Sequence, residues 1–397
     1  MQPLKGLTVV ALEQAIAAPF ATRQLADLGA RVIKVERPGA GDFARGYDQR
    51  VKGLASHFVW ANRSKESLTL DLKHPRAAEL LIQLIIGQAD VVVQNLAPGA
   101  AARLGVSWKA LRQRRPDLIW CDISGYGDDP EAPGPYRDKK AYDLLIQSES
   151  GFVSITGTPD QPSKAGLPVA DIAAGMYAFS NIQSALLQRQ IDGQGRRIDI
   201  SMLEALGEWM GYPMYYAFDG APPPPRAGAA HATIYPYGPF SCAGGKTVML
   251  GLQNEREWAV FCSHVLRQPA LAADERFNNN AQRSTNRAAL QGLIAAAFAS
   301  LSVAAVVQRL DEAQIANAEV RDVAGLWQHP QLSARQRWRQ VETSVGPVPT
   351  LLPPGSWTDG DPQLGAVPAV GQHTNAILHA LGVSAAEIEA LRTAAAI

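Results

Sequence analysis

The residue best suited to chemistry in this 397-residue chain is Asp171, in the run Gly166-Leu167-Pro168-Val169-Ala170-Asp171-Ile172-Ala173-Ala174-Gly175. Its neighbours are apolar or small, and the run reads as a loop passing into a helix. A lone carboxylate there is either a helix cap or a nucleophile. Asp is among the favoured N-cap residues, and with Asp171 as the cap, Ile172, Met176, Phe179 and Leu186 fall on one helical face. On residue type alone the cap is the stronger reading, and the nucleophile stays open beside it.

The elements that must position this carboxylate alternate between strand and helix signals. Leu7 to Leu12, Arg31 to Val35, Leu68 to Leu72, Asp90 to Val93 and Leu118 to Ile123 read as strands, most of them buried. A helical stretch after Pro19 ends at Gly29, and another runs from Pro75 to Gly87. The helix after Asp171 runs towards Gln190, followed by a turn at Asp192-Gly193-Gln194-Gly195 and a strand over Arg197 to Ser201. The pattern predicts an α/β fold with a parallel sheet covered on both faces and ligands at the carboxyl ends of the strands. Gly220 to Arg226, with four consecutive prolines, reads as a stiff linker. A second region follows, with a strand near Thr247 to Leu250 and helices from Asn254 through Gln314. Val345 to Pro354 reads as a return linker, and a last helix covers Ser384 to Ala395.

Composition narrows the function. Lys plus Arg and Asp plus Glu each number 37 and cancel, so the basic excess of a nucleic-acid or membrane-surface protein is missing. Cys121, Cys242 and Cys262 are widely spaced and form no CxxC pair, which indicates neither a disulfide framework nor a metal site. The first residues lack a charged-then-apolar signal and no apolar run approaches the ~20 residues of a membrane span, so the expected compartment is the cytoplasm. The phosphate-binding glycine motifs, G-x-S-x-G and H-E-x-x-H are absent, which disfavours dinucleotide dehydrogenases, P-loop enzymes, α/β-hydrolases and zinc proteases.

The pieces Ala18-Pro19, Leu25 to Ala30, Val32 to Gly39, Asn95 to Gly99, Lys140 to Asp143 and Asp171 to Gly175, in this order and spacing, resemble the family III coenzyme A transferases over roughly residues 4 to 395. The resemblance implies a Rossmann-like large domain built from both termini, a smaller central domain, and an interlocked, ring-like homodimer. The expected layout is 1–220 for the first part of the large domain, 221–226 as linker, 227–340 as small domain, 341–356 as linker and 357–397 completing the large domain. It implies an enzyme in which Asp171 attacks the thioester of an acyl-CoA, forming an anhydride and then an aspartyl-CoA thioester. A carboxylate suits this because its anhydride and thioester lie close in free energy to the substrates. Backbone N–H groups of the following helix would stabilise the oxyanion, and Ala173-Ala174-Gly175 would let the acyl group approach. No permanently bound cofactor is expected; the partners are an acyl-CoA and a small carboxylic acid.

The same resemblance assigns Arg37, Lys73, Arg103 and Lys140 to the CoA phosphates and Leu70, Asn95, Leu96 and Leu104 to its adenine and pantetheine path. Gln14, Ile16, Arg45, Tyr142, Asp143 and His231 fall to the substrate pocket. Gln14 and Ile16 replace a polar pair that formyl-CoA:oxalate transferases place near residue 15, and Gly251-Leu252-Gln253-Asn254 replaces their glycine-run loop. The stretches Gly211 to Tyr216 and His231 to Phe240 are more similar to members that take CoA from succinyl-CoA to itaconate, mesaconate or citramalate. Arg45 or His231 would meet the second carboxylate; a loop-capping role for His231 is equally open. The alternatives are a 2-methylacyl-CoA racemase of the same fold and a transferase of the formyl-CoA:oxalate or carnitine type. Racemases place a histidine where this chain has Tyr142, and an unperturbed phenol, with a pKa near ~10, is a poor base at neutral pH.

Overall fold

The computed structural model describes residues 2–355, 362 and 364–397. The end of the expected 341–356 linker and the start of the 357–397 segment therefore lie outside the described residues. The chain forms two compact units. The first comprises Met1–Gly151, Ala165–Gly211 and Ala334–Ile397, the second Phe152–Lys164 and Tyr212–Ser333.

The first unit is built on six parallel strands: β1 (Thr8–Leu12), β2 (Arg31–Glu36), β3 (Lys65–Thr69), β4 (Val91–Gln94), β5 (Ile119–Ser124) and β6 (Arg197–Ser201). Their order across the sheet is β3-β2-β1-β4-β5-β6. Helices α1 (Ala17–Asp27), α2 (Pro75–Gln88), α3 (Asp143–Glu149) and α4 (Val169–Asp192) belong to the same unit. Val9, Val10 and Ala11 of β1 and Val91 to Val93 of β4 are almost wholly buried, as strands covered on both faces must be. Leu80, Leu81 and Leu84 of α2 pack into one core with Ile33, Val92 and Trp120 of the sheet and with Ile388 and Leu391 near the carboxyl terminus. Strand order turns back between β1 and β4, and in such sheets the crevice beyond that switch point is where ligands bind.

Two local expectations are corrected. The strand expected at Leu68 to Leu72 lies at Lys65–Thr69. Lys65 and Ser67 point into a buried polar network and hide the true alternation, whereas Leu70 and Leu72 continue the apolar pattern past the strand because they line a cleft. Asp171 is not the helix cap. α4 begins at Val169 after Pro168, which places Asp171 at its third residue.

The packed face of α4 also differs from expectation. Met176 is exposed, Ile172 and Phe179 are half-buried, and of the four expected residues only Leu186 is buried. Ala170, Ala173, Ala174, Ala178 and Ile182 are fully buried instead. These small residues let α4 lie close against α1. A Cβ on Gly175 would sit 2.8 Å from the Ala17 carbonyl oxygen and 2.9 Å from Phe20 Cδ1. The small run therefore serves close helix contact.

The second unit holds an antiparallel sheet of β7 (Tyr237–Ser241), β8 (Thr247–Gly251) and β9 (Ala316–Glu319). Its core gathers Phe240, Trp258, Phe261, Phe277, Phe298 and Leu310. Among the described residues no single helix is long and apolar enough to cross a membrane.

Candidate active site

Buried charge surrounds the carboxyl end of β1. Glu13, the first residue past the strand, accepts hydrogen bonds from Lys65 Nζ at 2.7 Å and Thr22 Oγ1 at 2.6 Å. Lys34 Nζ lies 2.8 Å from Asp42 Oδ2 and 3.4 Å from Glu13 Oε1. Glu36, at the end of β2, receives Arg45 through Nε and Nη2 at 2.8 Å each and Ser67 Oγ at 2.5 Å. Burial alone would raise the Glu36 pKa, but Arg45, Lys34 and Ser67 together hold it down to about 2. Charges removed from water survive only when paired this completely.

Beyond these strands opens a cleft of about 470 Å³. Of the residues expected around CoA, Arg37, Leu70, Lys73, Leu96 and Leu104 line it, and so does Gln14 from the expected substrate pocket. They come from segments that follow β1, β2, β3 and β4, with Leu104 closing a short helix over Ala100–Arg103, so the sheet's geometry brings them together. Arg37 and Lys73 are exposed cations at its rim. Asn95 has a different task. Its Oδ1 accepts from the Gln14 backbone N–H at 2.9 Å, and its amide donates to the Gln14 carbonyl at 2.8 Å. Arg103 and Lys140 are exposed and do not line this cleft. Arg103 lies beside the turn at Gly99, where an added Cβ would come within 3.1 Å of its Nη1.

Asp171 sits where two helices begin. The backbone N–H of Ala17, the first residue of α1, favours its ionised form. Asp143 Oδ1 accepts from Ala170 N–H at 2.9 Å, and Asp143 Oδ2 accepts from Gln147 Nε2 at 2.6 Å. Gln147, fully buried, in turn accepts from the Ala165 N–H at 2.9 Å, tying α3 to the segment that leads into α4. Desolvation, and secondarily the Asp143 carboxylate, push the Asp171 pKa up to about 7, against the opposing pull of the Ala17 N–H. A carboxyl poised near neutrality can be ionised for attack without being permanently locked in an ion pair.

The remaining expected pocket residues separate. Tyr142, at the cap position of α3, is 67% exposed, whereas Ile16, just before α1, is only 4% exposed and faces the interior. Arg45 is committed to Glu36 and to the Pro368 carbonyl, and lies 3.6 Å over the Phe58 ring. His231 belongs to the second unit. Its Nδ1 accepts from the Thr233 and Ile234 N–H groups, and the ring stacks on Tyr237 at 5.2 Å, which is the loop-capping arrangement.

Residue-type reasoning missed Tyr47. Partial burial, then the nearby charges of Asp42 and Asp171, push its phenol up to about 12, so it stays a neutral O–H donor. Tyr47 and Phe43 are both about half exposed, with ring centroids 5.8 Å apart. Their signal in the sequence is a pair of aromatics four residues apart in the segment Gly39 to Tyr47, which holds three glycines.

The comparisons with known proteins agree with this geometry. The family model for CoA-transferase family III matches residues 4–374. A succinate–glutarate CoA-transferase from Agrobacterium fabrum is 34% identical over 355 residues, covering 87% of each chain. An acetyl-CoA:oxalate CoA-transferase from Acetobacter aceti is 32% identical over 335 residues, covering 84% of each. The crystal structure of a CaiB/BaiF family protein from Brucella suis superposes with a TM-score of 0.83 at 32% identity, over 96% of this chain and 99% of that one. A parallel α/β sheet, a cleft at its switch point and a match over nearly the whole length lead to one conclusion: the chain is an enzyme of CoA-transferase family III.

Proposed function

We propose that this CoA-transferase moves CoA from succinyl-CoA to a C4–C5 dicarboxylate such as itaconate, mesaconate or citramalate, with Asp171 as the covalent carrier. The observation that carries the reading is Asp171 itself, desolvated in the first turn of α4 and poised near neutral pH. The ionised carboxylate adds to the thioester carbonyl, the C–S bond breaks and CoA leaves as thiolate, giving a succinyl-aspartyl anhydride. The thiolate then adds to the aspartyl carbonyl and expels succinate, leaving an aspartyl-CoA thioester. The acceptor carboxylate repeats the sequence in reverse and leaves with CoA, restoring Asp171. Arg37 and Lys73 would meet the CoA phosphates, and Leu70, Leu96 and Leu104 its apolar path.

A dicarboxylate needs a partner for its second carboxylate. With Arg45 committed to Glu36 and His231 Nδ1 to backbone donors, we assign this contact to the neutral Tyr47 hydroxyl. The dicarboxylate preference also draws on the relative named for succinate and glutarate. The working enzyme is proposed to be a cytoplasmic, interlocked homodimer with a large domain from both termini and a small domain from the middle. Supporting this, the first unit draws its residues from both ends of the chain. Light scattering of the active enzyme tests it, with a folded, active monomer as the refuting result.

The deciding experiment is mass spectrometry of the enzyme with succinyl-CoA and a panel of acids. New CoA thioesters of itaconate or a close relative are expected, with side activity on other small dicarboxylates. Preference for oxalate or carnitine over every C4–C5 dicarboxylate overturns the assignment.

A further inference from the structure

The segment joining β1 to α1 is held at three consecutive residues by three separate elements. Lys34 of β2 places Nζ 3.4 Å from the Glu13 carbonyl oxygen. Asn95, just past β4, takes both backbone groups of Gln14. Asp42 Oδ1 accepts from the Ala15 N–H at 3.1 Å. Ala15 has φ of 61°, the left-handed conformation that a residue with a Cβ avoids. Such a conformation persists only where its surroundings over-determine it, and it concentrates at functional sites. Two residues on, α1 begins at Ala17, whose carbonyl oxygen would lie 2.8 Å from a Cβ placed on Gly175 in the helix of Asp171.

Asp42 is itself fixed. It is 1% exposed, its Oδ2 pairs with Lys34 at 2.8 Å, and its Oδ1 also accepts from Ala44 N–H at 2.9 Å. It is not among the residues lining the cleft. We propose that Asp42 and Asn95 are positioning residues for CoA transfer. They hold the Gln14–Ala15 turn, and with it the start of α1, in place against the helix that carries Asp171. This rests on Asp171 being the nucleophile. A turn at Ala15 released from Asp42 swings the first N–H of α1, and a displacement of about 1 Å at a reacting group costs on the order of 10²-fold in rate.

The test compares wild type with Asp42→Ala, Asp42→Asn and Asn95→Ala, with kcat expressed per active site as titrated by adduct formation. Asp42→Ala should lower kcat about 10²-fold while the KM for succinyl-CoA stays within about twofold, the mark of an interaction made in the transition state. Asp42→Asn keeps the Oδ1 acceptor for Ala15 but turns an amide donor towards Lys34, and should recover part of the rate. Asn95→Ala strands no buried charge, and its fall in kcat decides the matter should Asp42→Ala fail to fold. A folded Asp42→Ala or Asn95→Ala enzyme with wild-type kcat per site overturns the proposal, as does an Asp42→Asn enzyme no better than Asp42→Ala. Asp171→Ala, run alongside, tests the nucleophile separately: activity surviving there removes the underlying mechanism, whatever the Asp42 variants do.

Discussion

Asp143 touches the helix of Asp171 one residue before that carboxylate, its Oδ1 accepting from the Ala170 N–H at 2.9 Å. One carboxylate thus caps α4 and opposes ionisation of the other. Both effects come from a single side chain, and substitution can separate them.

Asp143→Asn keeps an acceptor for Ala170 but removes the charge, so the Asp171 pKa should fall. Desolvation, the larger cause, remains, and the pKa should stay above its ordinary value of 3.8. The acid limb of the transfer rate, expected near pH 7 in the wild type, should move to lower pH. Loss of the Gln147 hydrogen bond should cost about 1 kcal/mol of stability. An unmoved acid limb would show that Asp143 does not set the ionisation of Asp171.

Asp171→Ala and Asp171→Asn should both abolish transfer and leave no hydroxylamine-trappable adduct. They should also report on stability. The Asp171 pKa is raised from 3.8 to about 7 on folding, so its favourable contribution is complete below pH 4 and is lost as pH rises through about 7. Asp171→Asn should therefore match the wild type at low pH. Above pH 7 it should be more stable, by on the order of 1–4 kcal/mol. Denaturant titrations at pH 4.5 and 8 check the sign; a variant less stable than wild type at pH 8 contradicts it.

Much of this arrangement was legible in the sequence. The strands of the parallel sheet are near-continuous apolar runs, and a sheet buried on both faces leaves that signature. Arg37, Leu70, Lys73, Leu96 and Leu104 were assigned from the resemblance, and the structure brings them together in one cleft because each follows the end of a strand or a turn beyond it. The bonds of Asn95 and Arg45 were not legible because their partners, Gln14 and Glu36, are distant in sequence or lie across a loop, and nothing in the local pattern encodes such bonds. The contact face of α4 was misread for a related reason: hydrophobic periodicity weights large residues, whereas close helix packing here selects alanine and glycine. Asp171 lost its expected cap role because Pro168 starts the helix and Asp143 supplies the acceptor.

Gly175→Ala should be destabilising although alanine is the better helix former. The propensity gain is about 1 kcal/mol. Against it, the new Cβ would lie 2.8 Å from the Ala17 carbonyl and 2.9 Å from Phe20. Relieving such contacts in a packed interface costs about 1–3 kcal/mol, so overlap wins. The displaced residue, Ala17, begins α1 and its N–H favours the ionised form of Asp171, so kcat should fall along with the melting temperature. A Gly175→Ala enzyme with a raised melting temperature and full activity would show that α1 and α4 are not in close contact.

Racemisation can be separated from transfer. Tyr142, where the resemblance places a racemase's histidine, is 67% exposed. Incubation with a 2-methylacyl-CoA in D₂O should therefore give no deuterium at the α-carbon. Rapid exchange would place the enzyme among the racemases.

Tyr47 should govern the acceptor acid. Its phenol, pushed up to about 12, is a neutral donor at any physiological pH and shares the surroundings of Asp171. A hydrogen bond to a carboxylate contributes about 1.5–3 kcal/mol, so Tyr47→Phe should lower kcat/KM for itaconate roughly 10- to 100-fold. Adduct formation from succinyl-CoA also seats a dicarboxylate-derived group, but its thioester end carries no charge and CoA supplies most of its binding. That half-reaction should lose less. Monocarboxylates of similar size gain nothing from the hydroxyl, and the variant should narrow the gap between them and dicarboxylates. If Tyr47→Phe weakens both acid classes equally, the hydroxyl does not read the second carboxylate and the acceptor pocket lies elsewhere.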